Sequence, residues 1–200
     1  MWFVYIALFM ALSIVLYLLF WKLYFLREPR RQIPKGKSIV SPASGKVIKV
    51  MDYGPGIVDV NKGLAGQIRD ASRGLSKNGK MVVIFMSPLD VHVQRAPIGG
   101  VVKSVKHTKG SFRSATKLAL QNEKNEIIIE GQGIRLKIIQ AAGFVARRIE
   151  CFVRIGERVK KGQRIGRINL GSQVILMLPW KTEILVKEGD RVTEGETEIA

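Results

Sequence analysis

Apolar side chains follow two regimes along this chain. From Met1 to Trp21 they run without one charged residue, and Lys22 carries the first charge. At 1.5 Å per residue, about 20 such residues cross a hydrocarbon layer of roughly 30 Å, which predicts a retained transmembrane helix over residues 1–24. A secretory signal would need a basic start and a small-residue cleavage site, and neither is present. Beyond residue 38 the apolar runs become short and β-branched. Those at 47–50, 81–85, 127–129, 134–139, 149–153 and 174–178 are separated by Gly, Pro, Asn or charged turns. They read as strands. Only residues 114–123, with Ala115, Leu118 and Ala119 on one face, predict a short amphipathic helix.

Between the two regimes lies a basic linker, residues 25–38, which Pro29 and Pro34 keep from continuing the helix. Residues 39–200 are then expected to form one β-rich domain. Two near-repeats refine that expectation. Pro42-Ala43-Ser44-Gly45-Lys46-Val47 resembles Pro97-Ile98-Gly99-Gly100-Val101-Val102, and Gly156-Glu157-Arg158-Val159-Lys160-Lys161-Gly162 resembles Gly189-Asp190-Arg191-Val192-Thr193-Glu194-Gly195. The pattern is similar to lipoyl- and biotinyl-type domains, which pair such hairpins about a pseudo-twofold axis. The expected class is mainly β, an antiparallel sandwich or barrel-sandwich with lipoyl-type hairpin repeats. The modifiable lysine of those domains has no counterpart in this chain.

Charge changes the picture next. Lys and Arg number 33 against 16 Asp and Glu, a net of +17. Lys22, Arg27, Arg30, Arg31, Lys35 and Lys37 crowd the far side of the apolar segment, which by the positive-inside rule leaves the domain in the cytoplasm at the cell membrane. No nucleic-acid-binding motif accompanies the charge, whereas anionic headgroups attract such residues, so acidic lipid is the expected partner. The excess is uneven. In residues 172–200, Lys181, Lys187 and Arg191 oppose Glu183, Glu188, Asp190, Glu194, Glu196 and Glu198, a net of −3, leaving +20 on residues 1–171. The single cysteine, Cys151, excludes an internal disulfide and reads as a buried structural thiol in an apolar run. Residues 62–80 read as a basic, solvated segment or a ledge facing the bilayer.

Candidate chemistry is sparse. Two histidines and one cysteine at unrelated spacings offer no metal ligand set. His107, between Lys106 and Thr108, reads as a basic turn residue. His92 follows Asp90 by two residues, so an extended backbone would set carboxylate and imidazole on one face, an arrangement suited to acid–base work.

The chain resembles the phosphatidylserine decarboxylases in their short form. The resemblance rests on Phe25 to Pro34, Val40-Ser41-Pro42-Ala43-Ser44-Gly45-Lys46-Val47, the Ser-Pro-x-Asp-x-His segment within Met86 to Pro97, Gly110-Ser111-Phe112, Gly143 to Ile149, Gly156 to Gly166, and Leu170-Gly171-Ser172. It implies cleavage between Gly171 and Ser172 after the Ser172 hydroxyl attacks the Gly171 carbonyl. It further implies conversion of Ser172 to a covalent pyruvoyl cofactor, with a β chain (1–171) and an α chain (172–200) staying together as a heterodimer. The pyruvoyl group would form a Schiff base with an anionic serine phospholipid, diacyl or archaeal ether, and lose CO2 to give the ethanolamine lipid. His92 then matches the residue that protonates the carbanion, and Asp90 would orient it. The family also makes a homo-oligomer possible. Two departures stand out: Ser44 replaces the usual aspartate of the first motif, and Arg95 replaces a second histidine of longer members. The base for cleavage is therefore open between Asp90, His92 and a water held by Ser44. A membrane-tethered β-sandwich adaptor without activity is the alternative that the hairpin repeats allow.

Overall fold

The computed structural model describes residues 2–54, 68, 70–110, 120, 122–143, 149–169 and 172–200. Helix α1 (Trp2–Leu19) contains neither Gly nor Pro to break it, and its side chains are exposed on every side. A helix apolar all round suits lipid rather than one buried face. It continues into a π-turn, Phe20–Phe25, and the apolar helix over Trp2–Phe25 is long enough to cross a membrane.

The domain is antiparallel β. Its large curled sheet runs in the order β11-β1-β2-β10-β6-β5-β4-β8. These strands are β1 (Gly45–Tyr53), β2 (Gly79–Met86), β4 (Gly100–Thr108), β5 (Lys124–Gly131), β6 (Ile134–Ala142), β8 (Arg158–Val159), β10 (Ser172–Pro179) and β11 (Arg191–Val192). A smaller sheet, β3-β9-β7, comprises β3 (Val93–Arg95), β9 (Arg164–Ile168) and β7 (Ile149–Cys151). Each predicted strand run falls in one of these elements, except that β7 ends at Cys151 and leaves Phe152 and Val153 of the 149–153 run outside it.

The near-repeats explain the large sheet. β1 pairs β11 through Gly45↔Val192, and β4 pairs β8 through Gly100↔Val159, the same positions of each repeat. Both long hairpins shift register at matching residues, between Val47 and Lys49 and between Val102 and Ser104. The tight turns match too: Gly189 N–H donates to the Val47 carbonyl at 2.8 Å and Gly156 N–H to the Val102 carbonyl at 2.8 Å. A Cβ on Gly45 would lie 2.1 Å from the Phe85 oxygen, and one on Gly100 would lie 2.3 Å from the Glu130 oxygen. Only glycine lets those backbones approach so closely. Ile33 of the linker wedges between the two halves, its side chain facing Gly162 and Gly195.

One face of the large sheet holds the main core, including Val82, Ile84, Ile127, Ile138, Val174 and Leu176. The other face carries Met81, Val83, Ile139, Ile175 and Met177, covered by Ile68, Ala71 and Leu120. Part of the stretch expected to be solvated is thus core, because Ile68 and Ala71 cap an apolar sheet face. Two further expectations are corrected. Cys151 is exposed, since β7 is an edge strand of three residues. His107 lies in β4 and pairs its Nε2 with Glu123 at 3.2 Å, so it is not a turn residue. Most of the predicted helix at 114–123 lies outside the described residues.

Gly156 and Gly162 both have positive φ, 86° and 78°, but only at Gly162 would a Cβ strike a neighbour, Ile33 Cδ1 at 2.4 Å. Replacing either with alanine adds backbone strain of about 1–2 kcal/mol. Gly162→Ala should lower the thermal midpoint further than Gly156→Ala, because Ile33 must also move. Equal shifts would count against the wedge.

Candidate active site

Ser172 opens β10, the strand that hydrogen-bonds to β2 on one side and β6 on the other. Its partners are Met86 and Ala142. Alternation puts Ser172 on the face of Val174, Leu176 and Leu178, toward the main core, and it is fully buried. Among the described residues the hydroxyl meets only the Met86 sulfur, at 3.5 Å, a weak acceptor. Leu170 and Gly171 lie outside the described residues.

A buried polar thread starts at that sulfur. Gln94 Nε2 donates to Met86 Sδ at 3.6 Å and to the His92 carbonyl at 2.9 Å. Gln94 Oε1 accepts from Gln140 Nε2 at 2.8 Å, and Gln140 Oε1 accepts from Asn125 Nδ2 at 2.8 Å. The surroundings of Ser172 and His92 are thereby tied to each other across both sheets.

His92 is not on a strand as expected. Pro88 and Leu89 form a turn closed by Asp90 N–H to the Ser87 carbonyl at 3.0 Å. Proline at the second position of a turn presets φ, and an aspartate can cap its amides. Asp90 does so with Oδ2, accepting from Ser87 N at 2.8 Å and Ser87 Oγ at 2.7 Å, while Oδ1 takes Arg191 at 2.5 Å. The carboxylate is engaged away from the imidazole. Asp90 holds His92 instead by its backbone carbonyl, 2.8 Å from Nδ1. A carbonyl only accepts, so Nδ1 bears the hydrogen and Nε2 is left with its lone pair. Nε2 is buried and has no partner among the described residues.

The foot of the apolar helix closes the other side. The Phe25 ring lies 4.4 Å from the imidazole, and Tyr24 Oη and Arg27 both donate to the Leu89 carbonyl, at 3.4 and 2.6 Å. Burial lowers the His92 pKa from its ordinary 6.5, with Arg27 adding to the effect and the Asp90 carbonyl and charge opposing it.

The family model for phosphatidylserine decarboxylase matches residues 18–200. The chain belongs to the phosphatidylserine decarboxylase family. It is 43% identical over 195 residues to a candidate archaetidylserine decarboxylase proenzyme of Methanocaldococcus jannaschii, covering 96% of this chain and 94% of that protein. It is 41% identical over 181 residues to the phosphatidylserine decarboxylase proenzyme of Wolbachia pipientis, covering 88% of this chain and 74% of the relative. The corresponding protein of Chlorobium limicola is 38% identical over 193 residues, covering 95% and 83%. The chain is therefore a carboxy-lyase of this family, which removes the adaptor alternative.

Within this decarboxylase the two departures from the family pattern come together. Ser44 accepts from Glu194 N–H at 3.1 Å and donates to the Glu194 carboxylate. Arg31 forks onto the same carboxylate at 2.7 and 2.9 Å, and Arg95 Nε stands 4.0 Å from it. Glu194 is fully buried. Sequence reasoning missed it. The one available signal was the repeat: Glu194 occupies the position of Lys161, whose ammonium binds the Gly36 and Ser38 carbonyls.

This geometry has two measurable outcomes. NMR titration of the labelled imidazole should give His92 a midpoint below 6.5, and stability should fall as pH drops through 6.5, because the unfolded chain takes up that proton first. An unshifted midpoint would deny the burial. Glu194→Gln should cost about 3 kcal/mol in denaturant unfolding, because it removes the buried carboxylate that faces Arg31 and Arg95 and leaves Arg31 only Glu196.

Proposed function

We propose that this decarboxylase cuts itself between Gly171 and Ser172, makes a pyruvoyl group of Ser172, and decarboxylates the serine headgroup of a phospholipid. Phosphatidylserine and an archaeal ether analogue share that headgroup, and the relatives' names support both. The observation that carries the reading is Ser172 itself: a serine fully buried in the central strand, its hydroxyl committed, among the described residues, to nothing stronger than a thioether. The word proenzyme in the relatives' names supports cleavage.

The Ser172 hydroxyl attacks the Gly171 carbonyl, and the acyl group passes from nitrogen to oxygen. A base takes the Ser172 α-proton, the Cβ–O bond breaks, and Gly171 leaves as a carboxylate. Water then replaces the α-nitrogen as ammonia. Of the bases considered, the Asp90 carboxylate is engaged by Ser87 and Arg191, and the Ser44 hydroxyl by Glu194. His92 Nε2 is the base left bare among the described residues. A burial-lowered pKa keeps it bare at neutral pH.

The pyruvoyl group supplies an electron sink for the pair left behind when CO2 departs. The residues of the chain manage the protons. A serine ammonium must shed a proton before its nitrogen reacts; His92 Nε2 can take it and return one to the carbon that loses CO2. Asp90 fixes the tautomer for both transfers through its carbonyl.

Residues 1–24 serve as the anchor, 25–38 as the linker and 39–200 as the catalytic domain. The basic residues after the helix put that domain on the cytoplasmic side of the cell membrane. With the helix foot against His92, the site lies at the level of lipid headgroups, where the excess of cations favours anionic substrate.

Intact mass spectrometry tests this directly. The wild-type chain of 22.3 kDa should resolve into two pieces, with borohydride-reducible carbonyl at the new terminus, and should release carboxyl-labelled CO2 from serine phospholipid. Ser172→Ala should stay in one piece and release none. His92→Gln should lower CO2 release by about 10²-fold or more. A folded, membrane-bound wild-type chain that remains uncut would refute the reading.

A further inference from the structure

Phe25 is the one buried residue of the helix between Trp2 and Phe25. It ends an aromatic column that climbs the helix at i, i+4 spacing, the spacing that puts side chains on one stripe. Tyr17 and Trp21 lie 6.3 Å apart, Trp21 and Phe25 4.5 Å, and Phe25 and the imidazole of His92 4.4 Å. The column is aimed by the π-turn, in which Leu26 N–H reaches back to the Trp21 carbonyl at 3.0 Å. Such wide turns redirect the chain beyond them and recur at functional sites.

The grip is not confined to one ring. Arg27 stacks 4.0 Å over Tyr24, and both hold the Leu89 carbonyl of the turn that carries His92. From β9, Ile168 N–H donates to the His92 carbonyl at 3.2 Å. One face of the imidazole is therefore covered by Phe25 and one edge is held by Asp90. Resting on the pyruvoyl reading above, we propose that the foot of the membrane helix is a wall of the catalytic site, with Phe25 a positioning residue that seals one face of His92 and leaves the Nε2 edge to the reacting groups.

Anchoring and catalysis are then one device. A displaced helix would impair proton transfer even for a substrate that needs no membrane. The charged groups around His92 are Arg27 from the helix foot, Asp90 with its partner Arg191, and Arg167, which pairs with neighbouring Val93 from β9. None replaces the cover that Phe25 gives.

The first test needs no activity. Full-length Ser172→Ala protein is treated with diethyl pyrocarbonate and each histidine is followed by peptide mass spectrometry. His107, whose side chain is 46% exposed, is the reference and should react at the same rate throughout. His92 should be protected when Phe25 is present, react several-fold faster in Phe25→Ala, and fall between in Phe25→Leu, with thermal melts checking that each chain is folded. Equal His92 rates in the three proteins would overturn the proposal, and Phe25→Leu decides it if Phe25→Ala does not fold. The second test uses cleaved enzyme and a monomeric short-chain serine phospholipid. Phe25→Ala should lower kcat by about 10- to 100-fold with little change in KM. The acid limb of its pH profile should move to higher pH as His92 regains water. An unchanged kcat and profile would also overturn the proposal. A wild-type protein that releases no CO2 would instead count against the pyruvoyl reading, leaving the protection result to stand by itself.

Discussion

The position of one strand governs the rest of this molecule: Ser172–Pro179 runs down the middle of the large sheet, hydrogen-bonded on both sides. Val174, Ile175, Leu176, Met177 and Leu178 are fully buried, facing both cores. Each such side chain contributes about 1.5–3 kcal/mol relative to exposure. A break just before Ser172 would free a terminus without freeing the strand, because every ladder partner belongs to residues before the break. Arg31 to Glu194 and Glu196, Lys49 to Glu188 and Asp90 to Arg191 cross the same boundary. The uneven charge of the chain thus acts as complementarity between two segments.

Around that strand the sheet is nearly twofold. β1 answers β4, β11 answers β8, and the register shifts fall at equivalent residues. A symmetric scaffold fills its core economically but has no reason to build one reactive corner. Asymmetry enters where the repeats differ in kind. Ser44 stands where the other half has Gly99, and Glu194 where it has Lys161. Those two residues bond to each other and gather Arg31 and Arg95, so the linker, the first strand motif and the C-terminal segment meet at one buried carboxylate.

The strands at 47–50, 81–85, 127–129, 134–139 and 174–178 were legible because burial on the pleat demands runs of β-branched and aliphatic residues. β4 was less so, since Lys103, Lys106 and His107 interrupt its apolar pattern; only its likeness to β1 hinted at it. β8 and β11 are two residues each and exist through pairing rather than composition. At the candidate site, the sequence singles out His92 and Ser172 as candidates but not the atoms that surround them. Ser-Pro-x-Asp is a turn signal, and the carboxylate of Asp90 satisfies that turn before it can serve the imidazole. Phe25 could not have been singled out, because in an unbroken apolar run no residue announces which one will turn inward.

The least satisfied group of the site is also the most telling. A buried acceptor without a partner costs about 1–3 kcal/mol, and among the described residues His92 Nε2 finds none. Such an atom persists only where neighbours over-determine it. The Asp90 carbonyl forces the proton onto Nδ1, the Phe25 ring lies 4.4 Å from the imidazole, and Ile168 and Gln94 pin the backbone carbonyl. A solvated histidine would divide its time between two tautomers and the charged form. This one is held to the single form that can accept a proton at Nε2, in a chain where Arg95 stands in place of a second imidazole. On the pyruvoyl reading, that constraint lets one residue serve cleavage and decarboxylation alike, since a nitrogen that takes a proton in one direction can return it in the other.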